Sequence, residues 1–108
     1  MAAKAQLYQT RSCQTEYDEQ AAWDESVSQV RAARHPLGSL PLVVLSHGLP
    51  TQFPDPRLEQ DWQALQRDLA GLSSDSAHII ATRSGHQIQL DKPDLVIAAI
   101  KQVITGKV

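Results

Sequence analysis

Apolar residues recur along this chain at two spacings, and the change between them predicts where strands and helices alternate. Leu40–Ser46 is a nearly continuous apolar run rich in β-branched residues, which is typical of a strand covered on both faces in a parallel sheet. Ala77–Thr82 has the same character. Between the two runs, apolar residues at steps of three and four predict one helix; they are Leu58, Trp62, Leu65, Leu69 and Leu72. The pattern therefore predicts a strand–helix–strand unit with parallel strands.

A further helix is predicted ahead of this unit, from Glu16 to Arg34, with residues 2–10 forming a short helix or a loose arm. Its apolar stripe falls at helical spacing on Trp23, Val27 and Val30. We expect Trp23 to anchor a core, with a partner-binding surface as the alternative for the stripe. The helical segment ends before Pro36, because the residue that precedes a proline resists helical geometry.

Helix caps can be read from acidic residues that stand next to prolines. Asp55 followed by Pro56 is typical of an N-cap with proline at the first helical position. Asp91, two residues before Pro93, is the corresponding cap that we predict for a final helix. That helix would bury an apolar stripe of its own.

Length and composition indicate one domain. The 108 residues are 42% hydrophobic and 20% charged, as expected for a soluble globular chain. We expect the fold class α/β, a parallel β-α-β unit with flanking helices. The single domain, 1–108, would consist of an N-terminal helical segment, 1–35, and a strand-bearing segment, 36–108.

Charge and cysteine content exclude several classes of protein. A net charge of −2 and 5% aromatic residues favour no nucleic-acid partner. No apolar run approaches the ~18 residues of a membrane span, and the first residues lack the apolar region of a signal peptide. The single cysteine, Cys13, suits a reducing compartment. We expect a cytoplasmic protein with no membrane partner.

The most informative motif is Ser84-Gly85-His86, which follows the second strand and precedes Leu90-Asp91-Lys92-Pro93-Asp94-Leu95-Val96. From Leu37 to Val103 the order of motifs resembles the last two strands, the histidine loop and the terminal helix of α/β-hydrolases. The resemblance implies that His86 corresponds to the general base of a Ser-His-acid triad. Such a base takes a proton from a serine hydroxyl and returns it to the leaving group.

Other parts of that triad are missing from the sequence. No G-x-S-x-G occurs in the 108 residues, so we expect a truncated hydrolase-like chain without the nucleophile-bearing part and without autonomous hydrolase activity. The loop after the first strand, Ser46–Thr51, has no carboxylate at the place where the resemblance implies the acid. Asp55 is the best substitute and Asp61 the next, although Asp55 also suits a helix cap.

Two histidines, His47 and His86, are predicted at the carboxyl ends of the two strands, which is the edge where open α/β sheets bind ligands. They form the candidate ligand site. With Asp55 they could also make a two-histidine, one-carboxylate metal site. No compact ligand spacing supports a metal, and we expect neither a metal nor another cofactor.

A sheet of only two strands leaves edges that invite pairing with another chain. We therefore expect a homodimer that completes the sheet through an exposed strand edge and the helices, with cover by the N-terminal helix as the alternative. Two functions stay open. The chain is either a hydrolase-derived protein that associates with itself or a partner, or the piece of a serine hydrolase that supplies His86 to a nucleophile on another chain.

Overall fold

A computed structural model describes residues 2–49 and 54–108 and shows a mixed α/β structure. Its elements are α1 (Ala2–Ala21), α2 (Trp23–Ala33), β1 (Leu42–His47), α3 (Pro56–Ala70), β2 (Ser76–Ala81), α4 (Ile88–Asp91) and α5 (Pro93–Ile104). The predicted alternation of helices and strands is confirmed, with α4 as an additional short helix. The chain divides into two compact units at His35 and Pro36, and each is described by itself.

The N-terminal unit consists of α1 and α2. The prediction of one helix from Glu16 to Arg34 is wrong in its bounds. The helical segment begins at Ala2, and Ala22 (φ −87°, ψ 1°) separates α1 from α2. Residues 2–10, for which a short helix or a loose arm was expected, are helical. This part of α1 is polar, but it is free of glycine and proline and rich in good helix formers. Trp23 is 66% exposed. The expectation that Trp23 anchors a core is therefore wrong.

In the second unit, β1 and β2 pair in parallel, with Leu42 opposite Ser76 and His47 opposite Ala81. The predicted parallel arrangement is confirmed. The first strand begins two residues later than the apolar run. Pro41 has no N–H for a sheet hydrogen bond, whereas the N–H of Leu42 donates to the carbonyl of Asp75 at 3.0 Å.

One of the two predicted helix caps is confirmed. Asp55 accepts a hydrogen bond from the backbone N–H of Arg57 at 2.9 Å and starts α3. The cap predicted at Asp91 is wrong, because α5 begins after Lys92 without a side-chain cap. Helix α4 takes up Asp91, and its carboxylate instead accepts from the N–H of Gly85 at 2.7 Å. This contact holds the loop that carries His86.

Few apolar side chains are buried in the described part of the chain: Val44, Ala81 and Ala99. The helix stripe predicted between the strands forms as α3, yet Leu65 on it is 59% exposed. An open groove of about 290 Å³ lies between β1 and α5 and is almost wholly apolar. Its lining residues are Val43, Leu45, Val96, Ala99, Ile100, Val103 and Ile104.

Within the described ranges, the sheet has only the strands β1 and β2. The outer edge of each strand therefore lacks a strand partner there, as expected from the sequence. None of the helices described is both long and apolar enough to pass through a membrane.

Candidate functional site

The site is built around His47, the last residue of β1, which is only 2% exposed. Its Nε2 lies 2.9 Å and 3.0 Å from the two carboxylate oxygens of Glu59, which α3 brings to the end of the strand. Gln63 stands one turn further along α3 on the same face. Its amide nitrogen donates to Glu59 Oε1 at 3.0 Å and to the carbonyl of His47 at 3.1 Å. The three residues form one closed network.

Glu59 is held in its charged form by this network. The hydrogen bond from Gln63, followed by that from His47, lowers the pKa of Glu59 below its ordinary value of 4.5. Partial burial acts in the opposite direction, since the side chain is 15% exposed. At neutral pH, Glu59 is therefore a carboxylate that accepts hydrogen bonds from both neighbours.

Three aromatic rings meet at the carboxyl edge of the sheet. Trp62 on α3 lies nearly parallel to the His47 ring, with centroids 6.0 Å apart and an interplanar angle of 9°. The exposed ring of His86 stands at 61° to both, 6.5 Å from His47 and 6.4 Å from Trp62. Edge-to-face contacts at these separations are favourable. The structure thus brings His47 and His86 together, and Trp62 on α3 contacts both rings.

The segment that follows His47 is tied to the loop that carries His86. Ser84, which is fully buried, accepts hydrogen bonds at its carbonyl from the N–H groups of Gly48 (3.2 Å) and Leu49 (3.0 Å). A Cβ on Gly48 would lie 2.6 Å from the carbonyl oxygen of Ala81, so the close approach requires glycine. Arg83, with a left-handed φ of 62°, turns the chain between β2 and Ser84. These contacts fix the backbone at the carboxyl edge of the sheet.

The predicted acid, Asp55, is engaged elsewhere. Its carboxylate bonds the backbone N–H of Arg57 and, at 3.1 Å, the Arg57 guanidinium. Those contacts, the side-chain bond first, lower the pKa of Asp55. Asp61, the second candidate, is exposed on α3. The carboxylate that bonds a histidine is Glu59, which the sequence reasoning missed; its signal was its place on the helix face of Trp62, one turn after the cap.

A serine–histidine pair does occur, but inside the sheet. Ser46 on β1 and His78 on β2 approach to 2.7 Å between Oγ and Nε2. Ser46 is buried, so its hydroxyl links the two strands and does not face a substrate. The sequence placed His78 in the strand but did not pair it.

No metal site is formed by the residues that the structure describes, since they bring no three His, Cys, Asp or Glu side chains to ligand spacing. In the set considered from sequence, the His47 Nε2 and the Asp55 carboxylate already have partners. Cys13 lies exposed in the N-terminal unit.

The chain is similar in sequence to a longer curated protein. The uncharacterized protein YqjL of Bacillus subtilis (strain 168) is 37% identical over 84 residues, which are 77% of this chain and 32% of YqjL. The chain therefore spans about a third of the length of the curated relative it matches. No protein-family model and no solved structure matches the chain.

Proposed function

We propose that residues 36–108 form the histidine-bearing end of an α/β-hydrolase-like catalytic sheet and supply His86 as general base to a serine nucleophile. The nucleophile would come from outside these 108 residues, on the same or a separate polypeptide, because the sequence has no nucleophile elbow. The reaction class is acyl transfer from an ester or a related substrate to water.

One observation carries this proposal. The exposed His86 ring stands at the carboxyl edge of a parallel sheet, against the rings of Trp62 and of the buried His47, which Glu59 holds. This is the edge where open α/β sheets place their sites. A base needs one accessible nitrogen and a fixed ring. Exposure supports the first requirement, and the two flanking rings with the braced loop support the second.

The comparison supports the same proposal from another side. The stretch similar to this chain makes up about a third of YqjL, so in that protein such residues are part of a longer polypeptide. A sheet of two strands with three buried apolar residues among those described is what a piece of a larger core looks like in isolation.

A chimera provides the test. The stretch of YqjL that aligns with this chain is replaced by residues 1–108, so that His86 is included. Hydrolysis of p-nitrophenyl esters and labelling by a fluorophosphonate serine probe are then measured, with intact YqjL alongside. We expect His86→Ala to lower kcat at least about 100-fold, the lower end of what general acid–base catalysis contributes. Gln87→Ala, an exposed neighbour on the same loop, should change kcat less than twofold.

Two results would contradict the proposal. The first is an active chimera in which His86→Ala and Gln87→Ala behave alike, because His86 would then carry no proton. The second is an intact YqjL that neither hydrolyses the esters nor reacts with the serine probe, because the reaction class would then lack support in the relative.

A second candidate function, self-association, is favoured by the groove beside β1. Two copies would pair their β1 edges about a twofold axis and cover the groove between β1 and α5. Sedimentation equilibrium at micromolar concentration is expected to show a dimer. Ile104→Asp, in the groove and 77% exposed, should give a folded monomer, whereas Leu90→Asp, exposed but outside the groove, should not. A wild-type monomer would exclude this candidate.

A further inference from the structure

We infer that Glu59, acting through His47, is the residue that positions the His86 ring, and that Gln63 assists it. The inference deepens the proposed function and rests on it for the catalytic role of His86. Nothing in it requires that Glu59 touch substrate. Glu59 and Gln63 are positioning residues.

The first step concerns how His47 is fixed. Its backbone is paired in β1, its Nε2 is shared between both oxygens of Glu59, and its ring lies nearly parallel to Trp62. A ring held by a two-oxygen contact at one edge and a packed face cannot turn without losing both. The side chain is also almost fully buried, so water cannot replace the lost hydrogen bonds.

The second step concerns what His47 supports. The His86 ring stands at the same angle, 61°, to both His47 and Trp62. These two rings are nearly parallel and form one wall. Because edge-to-face contact depends on ring orientation, a rotation of His47 would remove one of the two ring contacts of His86.

The third step concerns Gln63. Its amide nitrogen serves Glu59 and the His47 carbonyl at once, while its Oε1 is buried without a hydrogen-bond partner among the described residues. A buried acceptor without a partner costs free energy. The two hydrogen bonds that the amide donates, one of them to a charged acceptor, offset this cost.

The carboxylate beside the end of β1 is not the one that the sequence favoured. The residues that follow β1 include no acid before Asp55. The carboxylate reaches the same strand end from the first turns of α3. Asp55, only four residues earlier, is held by Arg57. The negative charge beside His47 therefore comes from Glu59 on α3, and not from the loop before that helix.

Nuclear magnetic resonance of the full chain, labelled in histidine rings, tests this inference. We expect Glu59→Gln to move the Hδ2 and Hε1 resonances of both His47 and His86 towards random-coil positions and to weaken Trp62–His86 cross-peaks. Glu59→Asp should give an intermediate shift. Asp94→Asn removes a carboxylate from the first turn of another helix, α5, and should leave these signals in place.

If Glu59→Gln shifts the resonances of His47 but leaves those of His86 in place, the inference is overturned, since Glu59 would then only anchor the strand. If Glu59→Gln does not fold, Gln63→Met decides: it keeps the carboxylate and removes its brace, so both histidines should shift in the same direction by a smaller amount. Unchanged His86 signals in folded Gln63→Met would equally overturn it.

Kinetics in the chimera separate this inference from the proposed function. Glu59→Gln should lower kcat about tenfold or more with KM nearly unchanged, and Asp94→Asn should alter neither. Moved His86 signals in a chain whose chimera is inactive would uphold positioning and contradict the proposed function. If activity depends on His86 but the His86 signals do not change in Glu59→Gln, the proposed function is upheld and the positioning role of Glu59 is contradicted.

Discussion

Replacing Glu59 by Gln should destabilise the strand-bearing unit, because the new amide can offer only one acceptor oxygen where the carboxylate offers two. The carboxylate accepts from His47 at both oxygens and from Gln63 at Oε1. A glutamine can keep its oxygen at the Oε1 position, but its NH₂ group then faces the His47 donor. A hydrogen bond to a charged group contributes about 1.5–3 kcal/mol. Because the side chain is 15% exposed, we expect a loss near the lower end, about 1.5–2 kcal/mol.

The effect should depend on pH in a defined direction. Since the folded chain lowers the pKa of Glu59 from 4.5, its stabilisation is fully present above pH 4.5 and is lost as the pH falls through the lower folded value. Wild type and Glu59→Gln should therefore differ in free energy of unfolding at pH 7. Below the folded pKa their stabilities should converge.

Urea unfolding at fixed protein concentration measures this difference. Tryptophan fluorescence is a suitable signal, because Trp62 lies in the strand-bearing unit whereas Trp23 is largely exposed when folded. A Glu59→Gln protein as stable as wild type at pH 7 would refute the reasoning. So would a difference that persists unchanged at pH 3, since the cause would then not be the carboxylate charge.

Three other substitutions should act through single contacts. Ser46→Ala removes the partner of His78 within the sheet and should cost about 1–3 kcal/mol in urea unfolding, whereas Ser74→Ala, which removes an exposed hydroxyl, should cost less. Gly48→Ala places a Cβ against the backbone at the end of β2 and should cost about 1–3 kcal/mol or more; a neutral result would mean that the loop can move away. Asp55→Ala should lower the free energy of unfolding without shifting the ring resonances of His86. A shift of those resonances would mean that Asp55 contributes to the histidine site.

Local patterns predicted most of the elements in the second unit. The apolar runs, the stripe from Leu58 to Leu72 and the Asp55–Pro56 cap each depend on neighbours in sequence, and the structure has β1, β2 and α3 at those places. The same reasoning failed at Asp91, because a four-residue helix carries no periodicity that a pattern can reveal. It left residues 2–10 open between a short helix and a loose arm, and it did not predict the single helix α1, which forms without an apolar stripe.

The network at the site depends on pairs that are distant in sequence. Glu59 bonds His47 across 12 residues, and Ser46 bonds His78 across 32. Spacing could place His47 and His86 at one edge of a parallel sheet, but it could not choose among the acidic residues of α3. That choice depends on which side of the helix faces the strand end, and this orientation is set by packing.

The apolar groove and the histidine site share strand β1, and this links stability to the geometry of the site. Burying a large aliphatic side chain contributes about 1.5–3 kcal/mol, and Ile100 and Ile104 in the groove beside β1 are both more than half exposed. Covering them would contribute roughly 2–4 kcal/mol, taking half to three-quarters of the full value for each. A small domain has only about 5–15 kcal/mol in total. Because β1 lines the groove with Val43 and Leu45 and ends at His47, whatever covers the groove also steadies the strand from which the site is built.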